Sequence, residues 1–255
     1  MAKIFIDPGH GGTDTANRGP TGYVEAHGVL DIALRLKELL ATNYEVQLSR
    51  ELDITLSLEG RANKANAWGA DLFVSIHTNA ASPEAKGIET WHSKNGEWGT
   101  AFQAEAKQVA LIVQEELVKA TGFKDRGIKT RLVDNPGSPI HGLDYYAVIR
   151  KAKCPAIIIE AGFHTNPQEE ALLKTSEFRQ KVAEAIAAGI RRAYPVEALA
   201  PDIKEMGVQI GDKKLQGYLI NDVGYAPIRG LVELLNKRSK LQLAWDEKTK
   251  TAMIT

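Results

Sequence analysis

Short apolar runs alternate with amphipathic stretches along most of the chain, and this alternation constrains the fold more than any other feature. Five runs have the length and composition of β-strands: residues 4–7, 46–49, 72–76, 88–92 and 156–159. The first amphipathic stretch has its apolar residues on one helical face: Val29, Ile32, Ala33, Leu36 and Leu40. Because strands that alternate with helices favour parallel pairing, we predict an α/β fold with a mainly parallel, twisted sheet flanked by helices.

Three later stretches also have helical periodicity. One spans residues 59–68, and the other two have these core positions: Phe102, Ala106, Val109, Val113 and Leu117, then Phe178, Val182, Ile186 and Ile190. Prolines interrupt the pattern around residues 195–201, and short β-like pieces follow. We therefore predict a large domain at 1–195, a linker at 196–202, and a small α+β domain of ββαββ-like order at 203–255 with a brief helix at 231–236.

The charges of the chain balance, with 32 Lys and Arg against 32 Asp and Glu. No net field attracts nucleic acid or anionic lipid, so we expect no nucleic-acid partner. No apolar run approaches the about 20 residues of a membrane span, so we expect no membrane insertion. Cys154 is the one cysteine, which excludes an internal disulfide and a zinc site built from several thiolates. Any bound metal must use His and carboxylate ligands.

Three predicted strands lead to residues that can bind a metal or transfer a proton. The strand at 4–7 leads to His10, the strand at 72–76 to His77, and the strand at 156–159 to Glu160. Because the carboxyl ends of parallel strands meet at one end of a sheet, these side chains should converge. Glu25 lies in the loop before the helix that we expect to start near Val29, and it can fold back over the same end.

Two imidazoles and one carboxylate can hold a zinc ion that keeps a position for water, and a further glutamate such as Glu160 can act as a general base. Spacing alone does not distinguish Glu25 from His27 or Asp31 as the third ligand. A structural salt bridge to an arginine is the alternative role for Glu160.

Three other histidines, His92, His141 and His164, have no comparable support as ligands. We interpret all three as structural or substrate-facing. His164 follows Glu160 by four residues, so it is a candidate to line the same cleft.

Four segments together resemble one enzyme family: IFIDPGHGG at 4–12, GYVEAHGVLDIALRLKELL at 22–40, the stretch at 46–80 that contains SLEGRANKANAWGADLFVSIHTNA, and AIIIEAGFHTNP at 156–167. The family is that of the zinc-dependent N-acetylmuramoyl-L-alanine amidases of the amidase 3 type, and the resemblance covers about residues 3–192. It implies an α/β sheet between helices, and hydrolysis of the amide that joins N-acetylmuramic acid to L-alanine in peptidoglycan.

The resemblance also implies roles for individual residues. His10, Glu25 and His77 correspond to the zinc ligands, and Glu160 corresponds to the catalytic glutamate. Arg61 and Asn79 fall in matching segments and are expected to shape the cleft.

The chain also departs from the family in features that bear on substrate preference. His164 stands where the family has an apolar residue, and the stretch DNPGSPIHGLDYY at 134–146 is distinctive. Only SKNGEWGT bridges Trp91–His92 to Ala101, too short for the inhibitory helix of some relatives, so we expect an open, constitutively active cleft.

The segment at 208–255 resembles the small module named after the N-terminal domain of copper amine oxidases, through Pro227-Ile228-Arg229, the following helix and Trp245-Asp246. It contains no His or Cys and so offers no plausible copper site. A role in stability or wall attachment fits better.

The first strand follows the start of the chain without an apolar signal core of seven to fifteen residues. We therefore expect a bacteriophage endolysin, made in the host cytoplasm and acting on peptidoglycan after another protein opens the membrane. The alternatives are a host autolysin or a sporulation or cell-separation amidase that is secreted by another route, a zinc peptidase that cuts the stem peptide, and a non-catalytic peptidoglycan-binding module. The sequence predicts no particular oligomeric state.

Overall fold

The computed structural model describes residues 1–14 and 17–195 in full, and the backbone of five strands between residues 203 and 254. The chain divides into two compact units, Met1–Val196 and Glu197–Thr255. The predicted linker at 196–202 and the predicted helix at 231–236 lie outside the described residues, as do Pro227, Ile228 and Arg229.

In the first unit the strands are β1 (Lys3–Pro8), β2 (Glu45–Leu48), β3 (Leu72–Asn79), β4 (Ile88–His92), β5 (Asp125–Lys129) and β6 (Ala156–Phe163). The helices are α1 (Glu25–Leu40), α2 (Leu58–Trp68), α3 (Gln103–Thr121), α4 (Ala147–Lys151), α5 (Pro167–Leu173) and α6 (Ser176–Ala193). Each run predicted as a strand, and each stretch predicted as a helix before residue 195, corresponds to one of these elements.

The six strands form one sheet in the order β2-β1-β3-β6-β4-β5. Strands β2, β1, β3 and β6 pair in parallel, whereas β4 is antiparallel to β6 and parallel to β5. The sheet is therefore mixed, with a parallel part that follows the prediction and two reversed strands at one side. The carboxyl ends of β1, β3 and β6 lie next to one another, which is where ligands bind in sheets of this kind.

Helices cover both faces of the sheet, because the central strands carry apolar residues on both sides. On one face, Ile6, Val74 and other strand residues pack against α1, α3 and α6 in the larger cluster. On the opposite face, Phe5, Phe73 and Ile158 pack against α2 and α4 in a smaller cluster. The metal-binding candidates stand at the end of this three-layer core.

Some boundaries differ from the sequence-based predictions. Glu25, expected in a loop, is the first residue of α1, because the buried face of the helix already starts at Glu25 and Ala26. Strands β3 and β6 continue past their apolar runs because their pairing extends through His77 opposite Glu160. Strand β5 and the short helices α4 and α5 were not predicted.

Helix ends in this unit follow the expected local chemistry. Ser57 caps α2 by accepting from the backbone N–H of Gly60, and Gly69 ends this helix in the left-handed conformation. Asn166 caps α5 ahead of Pro167, and Thr175 caps α6. These caps fix where the segments between the strands begin and end.

The second unit contains strands β7 (Ile203–Ile210), β8 (Lys213–Ile220), β9 (Val223–Tyr225), β10 (Leu243–Asp246) and β11 (Thr251–Ile254). Their sheet order is β10-β11-β7-β8-β9, and of the four pairings only that of β11 with β7 is parallel among the described strands. None of the helices that the structure describes is long and apolar enough to cross a membrane.

Candidate metal centre

His10, Glu25 and His77 come together at the carboxyl end of the sheet, although they are far apart in the sequence. His10 lies in the loop after β1, Glu25 begins α1, and His77 lies near the end of β3. One ligating atom of each residue lies within 4.8 Å of the others. Two imidazoles and a carboxylate therefore meet at one point, and this is a donor set that zinc accepts in hydrolases.

The carboxylate of Glu25 lies between the two imidazole rings. His77 Nδ1 lies 3.0 Å from Glu25 Oε1, and the backbone N–H of Thr78 donates to the same oxygen at 2.8 Å. Burial raises the pKa of Glu25, but the two histidines lower it more, so the net pKa lies well below its usual range. This buried carboxylate is therefore charged at neutral pH, as a metal ligand must be.

The residues present fit a zinc ion. The second oxygen of Glu25, Oε2, is buried without a hydrogen-bond partner and lies 3.3 Å from His10 Nε2. His10 Nδ1 donates to Asp14 Oδ2 at 2.8 Å, and a proton on Nδ1 leaves Nε2 as a second acceptor that faces Oε2. Two acceptors repel each other unless a cation or a proton lies between them. Their separation is also close to the about 3.4 Å edge of a tetrahedron with about 2.1 Å zinc–ligand bonds.

Asp14 and Asn17 are two members of the site that the sequence analysis missed. Asp14 fixes the tautomer of His10, and the Asn17 amide nitrogen lies 3.1 Å from His10 Nε2, the atom that faces Glu25. Metal-binding histidines commonly donate their other ring N–H to a carboxylate in this way. The signal in the sequence was the carboxylate four residues after His10 in a glycine-rich loop.

The backbone at His10 has a conformation that neighbouring side chains hold in place. Its φ is +57°, and among the described residues no other non-glycine residue has a positive φ. Arg61 Nη2 donates to the His10 carbonyl at 2.6 Å, and Arg50 Nη2 donates to the Gly9 carbonyl at 2.8 Å. Both guanidinium groups also donate to the Pro8 carbonyl. Two buried arginines thus fix the loop that carries His10.

Arg61 was expected to shape the cleft, and it does line the pocket beside the cluster. Its side chain is buried, however, and its remaining donor contact is a 2.8 Å ion pair with Asp7 Oδ1. Asp7 also accepts hydrogen bonds from Ser49 and Ser75, so its charge is compensated inside the protein. The described contacts of Arg61 are therefore with the protein itself.

Gly9 allows the two histidines to approach each other. A Cβ atom at this position would lie 2.2 Å from Cε1 of His77. The rings of His10 and His77 pack edge to face with their centroids 4.9 Å apart. Glycine is therefore required at position 9 because a side chain there would collide with His77 of β3, and not because of a backbone turn.

Glu160 lies beside the cluster on the neighbouring strand. It pairs in register with His77 across β3 and β6, so both side chains project from the same face of the sheet. Its Oε2 is buried without a hydrogen-bond partner. Burial raises the pKa of Glu160 well above its usual value, and the charges of Glu25 and Glu89 raise it further. A raised pKa of this kind is common among catalytic acids and bases.

The salt bridge to an arginine that we considered for Glu160 is instead made by its neighbour Glu89. Glu89 lies opposite Glu160 across β4 and β6, and its Oε2 accepts from Arg126 at 2.6 Å and from Lys129 at 2.5 Å. Burial raises the pKa of Glu89, but these two cations lower it more. Its other oxygen accepts from the Asn79 amide at 3.0 Å. Asn79, expected in the cleft, is thus held by Glu89.

His164 lies behind the cluster. Its Nδ1 is 2.9 Å from the Thr78 hydroxyl and 3.9 Å from Glu25 Oε2, and its ring stacks with that of Tyr23. Burial lowers its pKa, so the ring is neutral at pH 7. The side chain is almost fully buried, and therefore it supports Glu25 and Thr78 and does not face the pocket.

The alternatives left open by spacing have other partners. His27 is exposed and lies 3.3 Å from Asp53, and Asp31 pairs with Arg35 and Arg179. Two other histidines are also separate from the cluster, since His92 donates to the Ser93 carbonyl and His141 is exposed. Among these acidic residues and histidines, Glu25 is the one that the fold brings to His10 and His77.

A pocket of about 530 Å³ opens beside His10 and His77. Its wall comes from three parts of the chain: the loop around His10, residues 55–61, and residues 145–148 together with Ile158 of β6. Tyr145 and Tyr146 end the distinctive stretch at 134–146 and stand on this wall. Residues 93–102, between β4 and α3, contain no helix, as expected from their short length.

Comparison with known proteins identifies the family to which this chain is similar. The model of the Amidase_3 family, described as N-acetylmuramoyl-L-alanine amidase, matches residues 4–192. The N-acetylmuramoyl-L-alanine amidase CwlM of Bacillus licheniformis is 38% identical over 198 residues, which is 76% of this chain and 69% of that protein. An endolysin of Bacillus phage SPP1 is 36% identical over 196 residues, 74% of this chain and 65% of that protein.

The fold is likewise shared with solved amidase structures. The catalytic domain of CwlV, an N-acetylmuramoyl-L-alanine amidase from Bacillus (Paenibacillus) polymyxa var. colistinus, superposes with a TM-score of 0.66 at 32% identity. The superposition covers 77% of this chain and all of that domain. The family match covers the residues that form the metal-binding cluster. The chain belongs to the Amidase_3 family of N-acetylmuramoyl-L-alanine amidases.

Proposed function

We propose that this amidase is zinc-dependent, with His10, Glu25 and His77 as the ligands and Glu160 as the general base. The observation that carries the proposal is the convergence of the three ligating atoms within 4.8 Å around a carboxylate oxygen that has no hydrogen-bond partner. A bound zinc ion would polarise the amide carbonyl and lower the pKa of water toward 7. Proton transfer and the orientation of the ligands are carried out by the side chains of the protein.

Glu160 takes the proton of the attacking water and passes it to the nitrogen of L-alanine as the amide bond breaks. Its buried Oε2 has no hydrogen-bond partner, so this oxygen is available to accept the proton. Its position next to His77 in the sheet supports this role, because the base must lie close to the water that it deprotonates. Asp14 keeps the Nδ1 proton of His10 in place throughout.

The substrate that we propose is the amide between N-acetylmuramic acid and L-alanine in peptidoglycan. We also propose that the protein acts as an endolysin, and its similarity to the SPP1 endolysin supports this. The similarity to CwlM supports a host wall amidase to the same extent. In the endolysin setting, expression lyses cells only once the membrane is permeabilised, whereas a secreted host amidase acts without that step.

The domain assignment completes the proposal. Residues 1–195 form the zinc amidase domain, residues 196–202 form a linker, and residues 203–255 form the small module that resembles the N-terminal domain of copper amine oxidases. We assign this module a role in stability or wall attachment. Retention of the full chain on purified cell walls, compared with a chain that ends at residue 195, tests the attachment role.

Digestion of purified peptidoglycan with and without a chelator tests the enzymatic proposal. The expected products are intact stem peptides with a free amine on L-alanine, identified by mass spectrometry, and the reaction stops on chelation and resumes with zinc. Shortened peptides would instead indicate a zinc peptidase. Binding to the wall without cleavage would indicate a non-catalytic module and overturn the proposal.

A further inference from the structure

The pocket beside the metal-binding cluster has a wall that the proposed chemistry does not use. Its volume of about 530 Å³ lies in the range of small-molecule sites, roughly 300–1,000 Å³. We propose that this pocket binds the sugar ring of N-acetylmuramic acid, with Tyr145 as the aromatic surface against which the ring packs. The inference rests on the proposed amidase function, because the pocket is continuous with His10 and His77.

Tyr145 is exposed and yet held by its neighbours. Tyr145 has 46% of its surface exposed to solvent. The ring packs edge to face on Tyr146 at 5.3 Å, and Tyr146 packs in the same way on Trp91 at 5.2 Å. The guanidinium of Arg131 lies 3.7 Å from the Tyr145 ring centroid. An exposed aromatic ring with a fixed orientation loses little entropy when a ligand packs on it.

The lining of the pocket suits a neutral, amphipathic ligand. Leu56, Leu58 and Val148 give it apolar surface, and Thr55 and Ser57 add hydroxyl groups. A pyranose ring has the matching chemistry, since its C–H groups form an apolar face and its hydroxyl and acetamido groups form hydrogen bonds. Aromatic rings contribute large contact areas to such apolar faces.

The charges favour the sugar side of the substrate over the peptide side. The stem peptide carries free carboxylates, which require a cationic partner when they are desolvated. Arg61 is the one arginine or lysine among the described residues that line the pocket, and its guanidinium is engaged with Asp7 and the His10 loop. Asp14 adds a further carboxylate to the wall. The lining thus offers no uncommitted cation for a carboxylate, which favours a neutral sugar over an acidic peptide.

Two substrates that share the scissile amide test this assignment. One is N-acetylmuramoyl-L-alanyl-D-isoglutamine, and the other is D-lactyl-L-alanyl-D-isoglutamine, which lacks the sugar ring. In Tyr145→Ala we expect kcat/KM for the first substrate to fall about tenfold, which is the loss expected for one aromatic contact. The value for the second substrate should not change, and Tyr145→Phe should behave like the wild type.

The control variant is Trp98→Ala, because Trp98 is equally exposed and is not among the residues that line this pocket. Circular dichroism establishes that each variant is folded. An equal loss on both substrates would place the peptide in the pocket and overturn the proposal, as would no loss on either.

Calorimetric titration with the peptide-free disaccharide of N-acetylglucosamine and N-acetylmuramic acid, its lactyl carboxyl reduced to a primary alcohol so that the ligand is uncharged, gives a readout that does not depend on turnover. We expect it to bind the wild type and Tyr145→Phe about tenfold more tightly than Tyr145→Ala. Equal binding by all three proteins would contradict the proposed sugar site. Failure of the wild type to cleave any substrate would remove the amidase proposal, while this titration would still decide the sugar site.

Discussion

Arg61 donates a 2.6 Å hydrogen bond to the main-chain carbonyl of His10, at the residue whose backbone has a φ of +57°. The same guanidinium binds Asp7 and the Pro8 carbonyl, so it connects α2 to the end of β1 and to the loop that follows. These contacts determine where the His10 imidazole points. The metal centre therefore depends on an arginine that contributes no ligand to it.

Replacement of Arg61 by lysine keeps the charge but removes the forked set of donors. We expect the free energy of unfolding to fall by about 1–3 kcal/mol, because buried acceptors lose their partners. We also expect zinc affinity to fall about 10–100-fold, the usual cost of disturbing the groups that orient a ligand. Urea denaturation and competition with a zinc-binding dye measure the two effects. Arg192→Lys on the exposed side of α6 is the control, and unchanged zinc affinity in Arg61→Lys would contradict this role.

Gly9→Ala should weaken metal binding because the added methyl group collides with His77. The new methyl group would lie 2.2 Å from His77 Cε1, so the ring must shift from its position beside Glu25. We expect zinc affinity to fall about 10–100-fold while the circular dichroism spectrum stays that of the wild type. Gly137→Ala is the matched control, because its nearest contact would be an ordinary 3.5 Å. Full zinc occupancy in Gly9→Ala would show that the ring has room to adjust.

Ligand and base substitutions should separate metal binding from turnover. We expect His77→Ala to lose both the metal and the activity, because one of three ligands is gone. Glu160→Gln should retain the metal and lose about 10²- to 10⁴-fold in kcat, the contribution of general base catalysis. Metal content by mass spectrometry and hydrolysis of purified peptidoglycan provide the two measurements. Full activity of Glu160→Gln would exclude Glu160 as the base.

Glu170 should make stability depend on pH. Its buried carboxylate accepts hydrogen bonds from the backbone N–H groups of Thr21 and Tyr23, at 3.0 Å each. Burial raises its pKa, but these hydrogen bonds lower it more, so the folded pKa lies below the ordinary 4.5. The stabilisation is therefore present above about pH 4.5 and is lost as the pH falls through the folded pKa.

Urea unfolding of Glu170→Gln from pH 7 to pH 3 measures this contribution. We expect the variant to be less stable than the wild type by about 2 kcal/mol at pH 7 and to approach it in acid. Glu38→Gln on the exposed side of α1 should follow the wild type at every pH. A constant difference between Glu170→Gln and the wild type across the range would mean that the charge of Glu170 has no part in it.

The main elements could be predicted because their patterns are long and regular. Strand β4 begins and ends at the predicted residues, and α2 and α6 are bounded by recognisable caps. Strand β5 was missed because DRGIK contains one apolar residue, and among the described strands it pairs with β4 alone at the edge of the sheet. Helix α4 was missed because five residues are too few to show a helical period.

The part of the site that depends on the direction of the strands could be predicted from the sequence. Parallel strands bring His10, His77 and Glu160 to the same end of the sheet, and this follows from the pattern of strands alone. The arginine contacts could not be foreseen, because Arg50 and Arg61 reach main-chain carbonyls through tertiary packing and no local motif records them. The position of Glu25 in α1 became clear only from the structure.

The two faces of the sheet carry apolar clusters of different size. The larger apolar cluster lies with α1, α3 and α6, whereas Tyr146 and α4 belong to the smaller cluster on the opposite face. Substitutions in the tyrosine-bearing stretch at 134–146 therefore lie outside the larger cluster. We therefore expect the pocket wall on that side to tolerate substitution with a smaller loss of stability than the residues of the larger cluster.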